Sequence, residues 1–368
     1  MNQSSSATVV DLDYTSQLPI SAYFDEVLYR AELDCLFNKG PRYLGHEQMV
    51  PNAGDYHVLE KSDGARYLKH AEDGVHVFSN VCRHRQAMML EGRGNARHTI
   101  CPVHRWGYDA HGQLLGAPRF KQNPCLNLPE TPLKHWNGML FEAGRDIEAD
   151  LKDLGVAKDL DFSAYQFHSV EVEHYQGNWK TFIEVYLEDY HVDPFHPGLG
   201  NFVDCADLAW QFGDWYSVQT VGINRGLSRP GSEAYAQLHD AALKVSAGRA
   251  PRFGAIWLTY YPNIMVEWYP HTLVISTIIP DGVRSYRNII EFYYQREIFE
   301  SCPEFIVAEQ AAYRETAVED AEIIRCMEAG RAALFATGRN EVGPYQSPME
   351  DGMRHFHQFL RRELAVYL

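Results

Sequence analysis

The chain has 368 residues, of which 45% are hydrophobic and 22% charged, an ordinary composition for a globular protein large enough for two domains. Its formal net charge of -16 argues against a nucleic-acid partner, because phosphate binding requires clustered lysine and arginine. The N-terminus has no basic segment followed by an apolar run, and no apolar stretch approaches the ~20 residues of a membrane helix. We therefore expect a cytoplasmic protein without a membrane partner.

Changes of pattern divide the chain into three parts and predict an α+β fold. A polar start and a helical segment occupy residues 1–40, a small antiparallel β domain with frequent Asp-Gly turns covers 41–150, and a sheet flanked by helices covers 151–368. The N-terminal helix is expected to pack on the third part. Helices are predicted over 19–38, 178–193, 309–334 and 352–368, and two or three long strands over 253–294.

The β domain contains a first set of metal-binding residues. Cys82-Arg83-His84 and Cys101-Pro102-Val103-His104 are separated by sixteen residues, so each tight loop offers one thiolate and one imidazole. Two thiolates suit one iron, and two neutral imidazoles suit a second iron and raise the reduction potential of a two-iron cluster. Two cysteines and two histidines can also bind a single zinc ion, although zinc sites more often use other spacings. The pattern favours a [2Fe–2S] cluster held by Cys82, His84, Cys101 and His104.

A second set of ligands is predicted in the third part of the chain. His191 and His196 are five residues apart, which would separate them by about 140° on a regular helix. Pro194 lies between them and is expected to break the turn, so that both imidazoles converge. Two histidines and one carboxylate form the facial triad of a mononuclear ferrous site, which leaves positions open for oxygen and substrate.

The long helix predicted near the C-terminus supplies the candidate carboxylates Glu315, Glu319, Asp320 and Glu322. Asp320 shares a helix face with apolar residues at i+3, i+4 and i+7, and a carboxylate on such a face is costly unless it is paired or binds a metal. Glu319 and Glu322 lie off that face and are expected to be solvated. Asp320 is therefore the predicted third ligand.

Together these residues resemble the α (oxygenase) subunits of Rieske non-heme iron oxygenases. The resemblance runs from about Tyr43 to the C-terminus and is carried by the two cluster motifs, by Asn178-Trp179-Lys180, by the H-x-x-x-x-H-P ending of the ligand segment and by Glu319-Asp320. It implies that a separate NAD(P)H-dependent reductase, in some systems with a ferredoxin, supplies electrons to the cluster. They then reach the iron, where O₂ is used to oxidise a small organic substrate.

The resemblance also implies a homotrimer, in which the cluster of one subunit serves the iron of its neighbour. An acidic residue three positions before the first iron histidine connects the two sites in this family, and here that residue is Glu188. In having glutamate at this position, the chain resembles the branch of the family that oxidises choline, carnitine and glycine betaine, whereas many arene dioxygenases have aspartate there. Glu188 is thus predicted to relay electrons or protons, with His104 across the interface as its expected partner.

The substrate is predicted to bind between the strands of 253–294 and the ligand segment. Hydroxylation or N-dealkylation of a quaternary ammonium or N-methyl compound is slightly favoured, with aromatic-ring hydroxylation as the alternative and an electron carrier without oxygenase activity as a remote one. This region supplies aromatic side chains that could surround such a cation or an arene, although most are expected to be core: Phe253, Trp257, Tyr260, Tyr261, Trp268 and Tyr269.

Three residues that flank the cluster ligands depart from the family pattern, and one of them, Val103, stands where the family often has tyrosine. Gln86 and Arg105 stand where the family often has glycine. We predict that the positive charge of Arg105 raises the reduction potential of the cluster. A redox titration of Arg105→Gln is expected to give a lower potential than the parent, and an unchanged potential would contradict the prediction.

Overall fold

The computed structural model describes residues 16–224, 230–245 and 251–368. The polar start predicted for residues 1–16 lies, apart from Ser16, outside the described residues. Antiparallel sheets and helices are combined in the described part, which confirms the predicted α+β class. Within the described ranges, no helix has the length and apolar character needed to cross a membrane.

Small antiparallel sheets form the region that follows the N-terminal helix. Their strand orders are β4-β3-β2-β5, β6-β7-β8 and β1-β10-β9. These strands are β1 (Tyr43–His46), β2 (Asp55–Val58), β3 (Arg66–Ala71), β4 (Gly74–Ser79), β5 (Arg93–Asn95), β6 (Thr99–Ile100), β7 (Gly107–Tyr108), β8 (Leu114–Gly116), β9 (Leu133–Trp136) and β10 (Met139–Glu142). Short 3₁₀ turns occur at Ile20–Tyr23, Glu47–Met49, Glu60–Ser62 and Phe162–Ala164.

A large antiparallel sheet forms the centre of the rest of the chain. Its strands are β11 (Tyr165–Gln176), β12 (Val203–Phe212), β13 (Tyr216–Ile223), β14 (Ala255–Tyr260), β15 (Ile264–Tyr269), β16 (Thr272–Gly282) and β17 (Ser285–Gln295). Over the described residues they are ordered β11-β17-β16-β15-β14-β13-β12. Side chains alternate between the two faces: Trp257 and Phe292 join the core under the helices, whereas Ile256 and Tyr293 join a core shared with Phe141 of β10. Both faces are therefore covered.

Helices pack on both faces of this sheet: the one at Ile147–Leu151 joins the core shared with Phe141, and most of the others cover the opposite face. The helices are α1 (Glu26–Glu32), α2 (Ile147–Leu151), α3 (Trp179–Tyr186), α4 (Val192–Phe195), α5 (Leu199–Phe202), α6 (Glu233–Val245), α7 (Arg296–Ser301), α8 (Pro303–Ala336) and α9 (Asp351–Glu363). Helix α8 begins with a proline, which is favoured at the first helical position because its missing N–H is not needed there. Its buried residues Phe305, Ala308 and Ala312 pack into the core on the sheet.

The predicted elements differ from the observed ones in five places. The helix predicted over 19–38 is divided into a 3₁₀ turn, α1 and a π-helical turn at Leu33–Phe37, and the helix predicted over 352–368 ends at Glu363. The segment 253–294 holds four strands rather than two or three. The helix predicted over 178–193 ends at Tyr186, and a separate one-turn helix, α4, follows it. The long helix predicted over 309–334 exists but begins six residues earlier, at Pro303. The spacing of apolar residues in the sequence thus predicted where these elements lie, whereas their first and last residues depend on tertiary contacts.

Buried ion pairs tie the N-terminal parts of the chain to the large sheet. Glu291 of β17 is buried and accepts hydrogen bonds from Lys61 and, at 2.6 Å, from the hydroxyl of Tyr43 in β1. A buried charge is stable only when it is paired and hydrogen-bonded. This contact therefore fixes the small sheets against the large one.

The Asn178-Trp179-Lys180 motif anchors helix α1. The Asn178 side chain caps α3 by accepting from the backbone N–H of Lys180. The indole N–H of Trp179 and the ammonium group of Lys180 both donate to the carboxylate of Glu32, at 2.8 and 2.6 Å. All of these groups are buried. The motif is thus structural: it connects the segment that leads to His191 with the N-terminal helix.

The replacement Lys180→Met is expected to lower the free energy of unfolding by about 3–5 kcal/mol, because it leaves the Glu32 carboxylate buried without its cation. Chemical denaturation followed by circular dichroism measures the change. Lys244→Met is the matched control, since Lys244 and its partner Glu304 are exposed, and it is expected to stay within about 0.5 kcal/mol of the parent. Equal stability of the two variants would contradict the prediction.

Candidate active site and metal centres

The four predicted cluster ligands lie on two neighbouring loops at one end of the small β domain. The Cys82 and Cys101 side chains are buried, and the Nδ1 atoms of His84 and His104 face each other at 3.2 Å. Two nitrogens that bind one metal at about 2.1 Å each are separated by roughly 3 Å. The histidine pair therefore fits one iron, with the two thiols left for another.

The spacing of these four donor atoms does not match a single zinc ion. A tetrahedral zinc site holds all its nitrogen and sulfur ligands within roughly 4 Å of one another. No three of these four residues bring their donor atoms within 4.8 Å of one another, although all four lie in the described part of the chain. A two-metal cluster, in which sulfur and nitrogen ligands belong to different ions, matches this separation.

The two cluster loops share one backbone conformation. In each loop the residue four positions after the cysteine, Gln86 or Arg105, donates its N–H to the cysteine carbonyl at 3.1 Å. Both residues have a positive φ, +55° and +60°. This left-handed conformation favours glycine because a Cβ atom is strained there, which explains why glycine is common in the family at these positions. The departures at Gln86 and Arg105 are therefore strained but tolerated.

His191, His196 and Asp320 converge on one point. Nε2 of His196 lies 3.0 Å from Nε2 of His191 and 3.0 Å from Oδ1 of Asp320, and the third distance, between His191 and Asp320, is 3.5 Å. These separations match three ligands on one face of an ion with bonds of about 2.1 Å. Two imidazoles and one carboxylate form the donor set of a non-heme ferrous site.

A one-turn helix brings the two histidines together. His191 immediately precedes α4 and His196 immediately follows it, so one turn of backbone places both rings on the same side. The break in the predicted helix lies before His191, after Leu187, rather than at Pro194 as expected. Pro194 instead lies within the first turn of α4, where no intrahelical N–H is required.

Two further carboxylates orient the imidazoles. Glu188 contacts Nδ1 of His191 at 2.5 Å, and Glu319 contacts Nδ1 of His196 at 2.7 Å. A carboxylate on Nδ1 fixes the tautomer whose Nε2 lone pair faces the metal. The expectation that Glu319 is solvated was therefore wrong, because α8 places it beside His196. The adjacency of Glu319 and Asp320 was the only sequence signal for this role, whereas Glu322 is exposed and pairs with Arg325 as expected.

The charges around the point where His191, His196 and Asp320 converge favour binding of a cation. Burial lowers the pKa of His191, but hydrogen bonds to Asp320 and Glu188 outweigh it and raise the pKa to about 10. The same acidic groups stabilise a divalent ion. The residues present therefore fit a mononuclear iron in geometry, donor type and charge.

A cavity of about 110 Å³ adjoins the three ligand atoms, between the large sheet and helices α3 and α8. This is where the sequence predicted the substrate. Of the six aromatic residues proposed for it, Trp257 and Tyr269 line the cavity. The other four pack in the core, as expected for most of them. Reasoning from sequence missed the other polar lining residues, since these depend on strand register and on which face of α8 meets the sheet.

Comparisons with known proteins agree with this arrangement. Residues 42–133 match the family model of the Rieske [2Fe-2S] domain. Residues 161–365 match that of the ring hydroxylating alpha subunit (catalytic domain), and this match covers more than half of the chain.

Two similar proteins are named putrescine 2-hydroxylases. The chain is 59% identical over 347 residues to putrescine 2-hydroxylase of Ralstonia nicotianae, covering 94% of this chain and 95% of that protein. It is 51% identical over 365 residues to putrescine 2-hydroxylase of Bordetella bronchiseptica, covering 95% and 85%. In fold it resembles a quaternary ammonium Rieske monooxygenase involved in carnitine oxidation, with a TM-score of 0.74, 17% identity and 96% of each chain covered.

The replacement Glu319→Ala is expected to weaken iron binding by about 10–100-fold, because His196 loses the acceptor that orients it. Iron retained after dialysis against graded chelator concentrations measures the effect, with the visible absorbance of the cluster as an internal reference. Glu322→Ala is the matched control from the same helix and is expected to retain iron like the parent. Identical iron retention by both variants would show that Glu319 does not support the site.

Proposed function

The chain belongs to the family of ring-hydroxylating α subunits with a Rieske [2Fe–2S] domain, and from this premise we propose that it hydroxylates a carbon atom of a small linear diamine such as putrescine. As a member of this family it is an oxygenase that uses O₂, a [2Fe–2S] cluster, a mononuclear iron and electrons supplied from outside the chain. When bound, the iron supplies the oxygen chemistry.

One observation supports an amine substrate: the cavity is lined by carboxylates without cationic partners. Among the described residues, seven carboxylate side chains are buried. Four of them have a lysine or arginine within 4.0 Å: Glu32, Glu184, Glu291 and Glu328. The other three have no lysine, arginine or histidine within that distance in the described part, and all three line the cavity: Asp189, Glu267 and Glu309.

Burying a carboxylate without a counter-charge is costly. A substrate with ammonium groups would supply the missing charge, whereas an arene would leave all three groups unpaired. Three buried oxygen atoms also favour an amine substrate. Among the described atoms, no hydrogen-bond donor contacts Asp189 Oδ2, Gln219 Oε1 or Asn288 Oδ1. N–H groups of a diamine would satisfy them.

The remaining cavity wall suits a short alkyl chain. It is built from apolar and aromatic side chains, including Val185, Leu199 and Trp257. An apolar cavity of about 150 Å³ holds benzene, so a cavity of about 110 Å³ favours a small aliphatic molecule over a fused arene. Similarity to putrescine 2-hydroxylases over nearly the whole length of both proteins supports the same choice.

We assign the metal-binding roles in the same proposal. Cys82, His84, Cys101 and His104 hold the cluster. The iron is held by His191, His196 and Asp320. The cluster assignment is supported by the facing Nδ1 atoms of His84 and His104. The iron assignment is supported by the three ligand atoms, which lie within 3.5 Å of one another. A cytoplasmic location remains a prediction.

Electron transfer is proposed to cross a subunit interface in a homotrimer, with a separate reductase as the donor. The cluster end of the β domain exposes apolar side chains, including Met88, Val103 and Phe120, which is typical of a surface that a partner covers. Glu188 contacts His191 through one carboxylate oxygen and is proposed to contact His104 of the neighbouring subunit.

Reductase-coupled turnover with product identification by mass spectrometry tests the function. We expect a hydroxylated product from butane-1,4-diamine and none from naphthalene. Glu188→Gln is expected to keep iron and cluster content but to lower turnover at least about 100-fold, with Glu322→Gln as control. Hydroxylation of the arene without the diamine would refute the substrate assignment, and full turnover by Glu188→Gln would refute the relay.

A further inference from the structure

We propose that Glu267 binds a primary ammonium group of the substrate and thereby selects amines that carry N–H donors over quaternary ammonium compounds. This inference rests on the proposed function and adds the side chain that recognises the amine. Glu267 lies on β15 in the middle of the large sheet, is 2% exposed and faces the cavity.

The carboxylate of Glu267 is held by three hydroxyl groups. Its Oε1 accepts from Ser276 at 3.1 Å and from Tyr313 at 3.2 Å, and its Oε2 accepts from Tyr269 at 2.9 Å. An ionised carboxylate accepts about four hydrogen bonds. Three of these positions are occupied by the protein, so roughly one remains for a donor from the cavity.

The donors of this cluster are themselves fixed. Trp257 is the cross-strand neighbour of Glu267, and its indole N–H donates to the Tyr269 hydroxyl at 2.8 Å, which turns the Tyr269 proton toward Glu267. Tyr313 comes from α8, seven residues before Asp320 and on the same side of the helix. The carboxylate is thus pre-positioned within the same cavity as the metal ligand.

Glu267 differs from the other two unpaired carboxylates because no positively charged residue is among the main causes of its pKa shift. Asp189 lies in the field of His191, and Glu309 in that of Arg314. For Glu267, burial raises the pKa and outweighs the three hydroxyl groups, which lower it; with a further rise from the charge of Asp320, the pKa is about 7. An ammonium group beside Glu267 would stabilise the ionised form.

Hydrogen bonding explains the expected selectivity. A primary ammonium group has three N–H donors and can use the open acceptor position of Glu267, whereas a trimethylammonium group has none. The adjacent rings of Trp257, Tyr269 and Tyr313 supply additional attraction for a cation. Because this attraction acts on both kinds of cation, the N–H donors decide between them.

Isothermal titration of the oxidised holoenzyme without reductase tests this assignment, because binding is measured without turnover. Glu267→Gln is expected to weaken binding of butane-1,4-diamine at least about 50-fold, as expected for loss of one partner of a buried charge pair. Parent protein is expected to bind 1,4-bis(trimethylammonio)butane at least about tenfold more weakly than the diamine. Glu304→Gln, exposed on α8, is the control and should bind like the parent.

A stability measurement separates binding from a structural role. The folded protein retains the Glu267 proton up to a pKa of about 7, above the ordinary value of 4.5, so stability is lost as pH rises between these values. Glu267→Gln has no carboxyl group to titrate and so does not lose this stability. The melting temperature of the variant minus that of the parent is therefore expected to be larger at pH 8 than at pH 5. A structural carboxylate would give the reverse order.

Diamine binding by Glu267→Gln within about twofold of the parent, or equal affinity for the trimethylated compound, would overturn the assignment. If the glutamine variant does not fold, Glu267→Met supplies an apolar side chain of similar volume, and the same loss of affinity is expected. The proposed function fails separately, through absence of a hydroxylated amine in the turnover assay. A parent that hydroxylates the diamine while Glu267 variants bind it normally would refute Glu267 alone.

Discussion

The convergence of His191, His196 and Asp320 is the constraint on which the rest of the active site depends. Two of these proposed ligands come from the segment between α3 and α5, and the third comes from α8, more than 120 residues later. They meet because α8 lies across the large sheet and because α3 is anchored through Glu32 to the N-terminal helix. Glu188 contacts Nδ1 of His191 and Glu319 contacts Nδ1 of His196, so each imidazole has its own carboxylate.

Buried charge is distributed in two distinct ways in this protein. Carboxylates that hold the fold together are paired with lysine or arginine, as Glu184 is with Arg331 at 2.6 Å. Carboxylates around the cavity are left without such a partner, and burial raises the pKa of Glu309 to about 8 and that of Glu267 to about 7. Their cost to stability is understandable if a cationic substrate supplies the missing charge, which is a common relation between stability and function.

The cluster domain and the iron domain are joined by buried contacts such as that of Glu291 with Tyr43 and Lys61. Even so, His104, a proposed cluster ligand, is exposed. Apolar side chains near it, including Val103 and Phe120, are exposed as well. In the proposed trimer, electron delivery would depend on assembly, because Glu188 and the cluster that supplies its electrons would belong to different subunits.

The sequence by itself determined the family, because the spacing in Cys-x-His, Cys-x-x-His and His-x-x-x-x-His-Pro reflects a set of metal ligands, and it determined the α+β class through the pattern of short strands and long helices. The position of Asp320 beside the two histidines was also predictable, since a carboxylate on an apolar helix face needs a counter-charge. The tertiary structure decided the position of Glu319, the break after Leu187 and the role of Glu267. These depend on which residues distant in the chain are brought into contact, and local periodicity carries no information about such contacts.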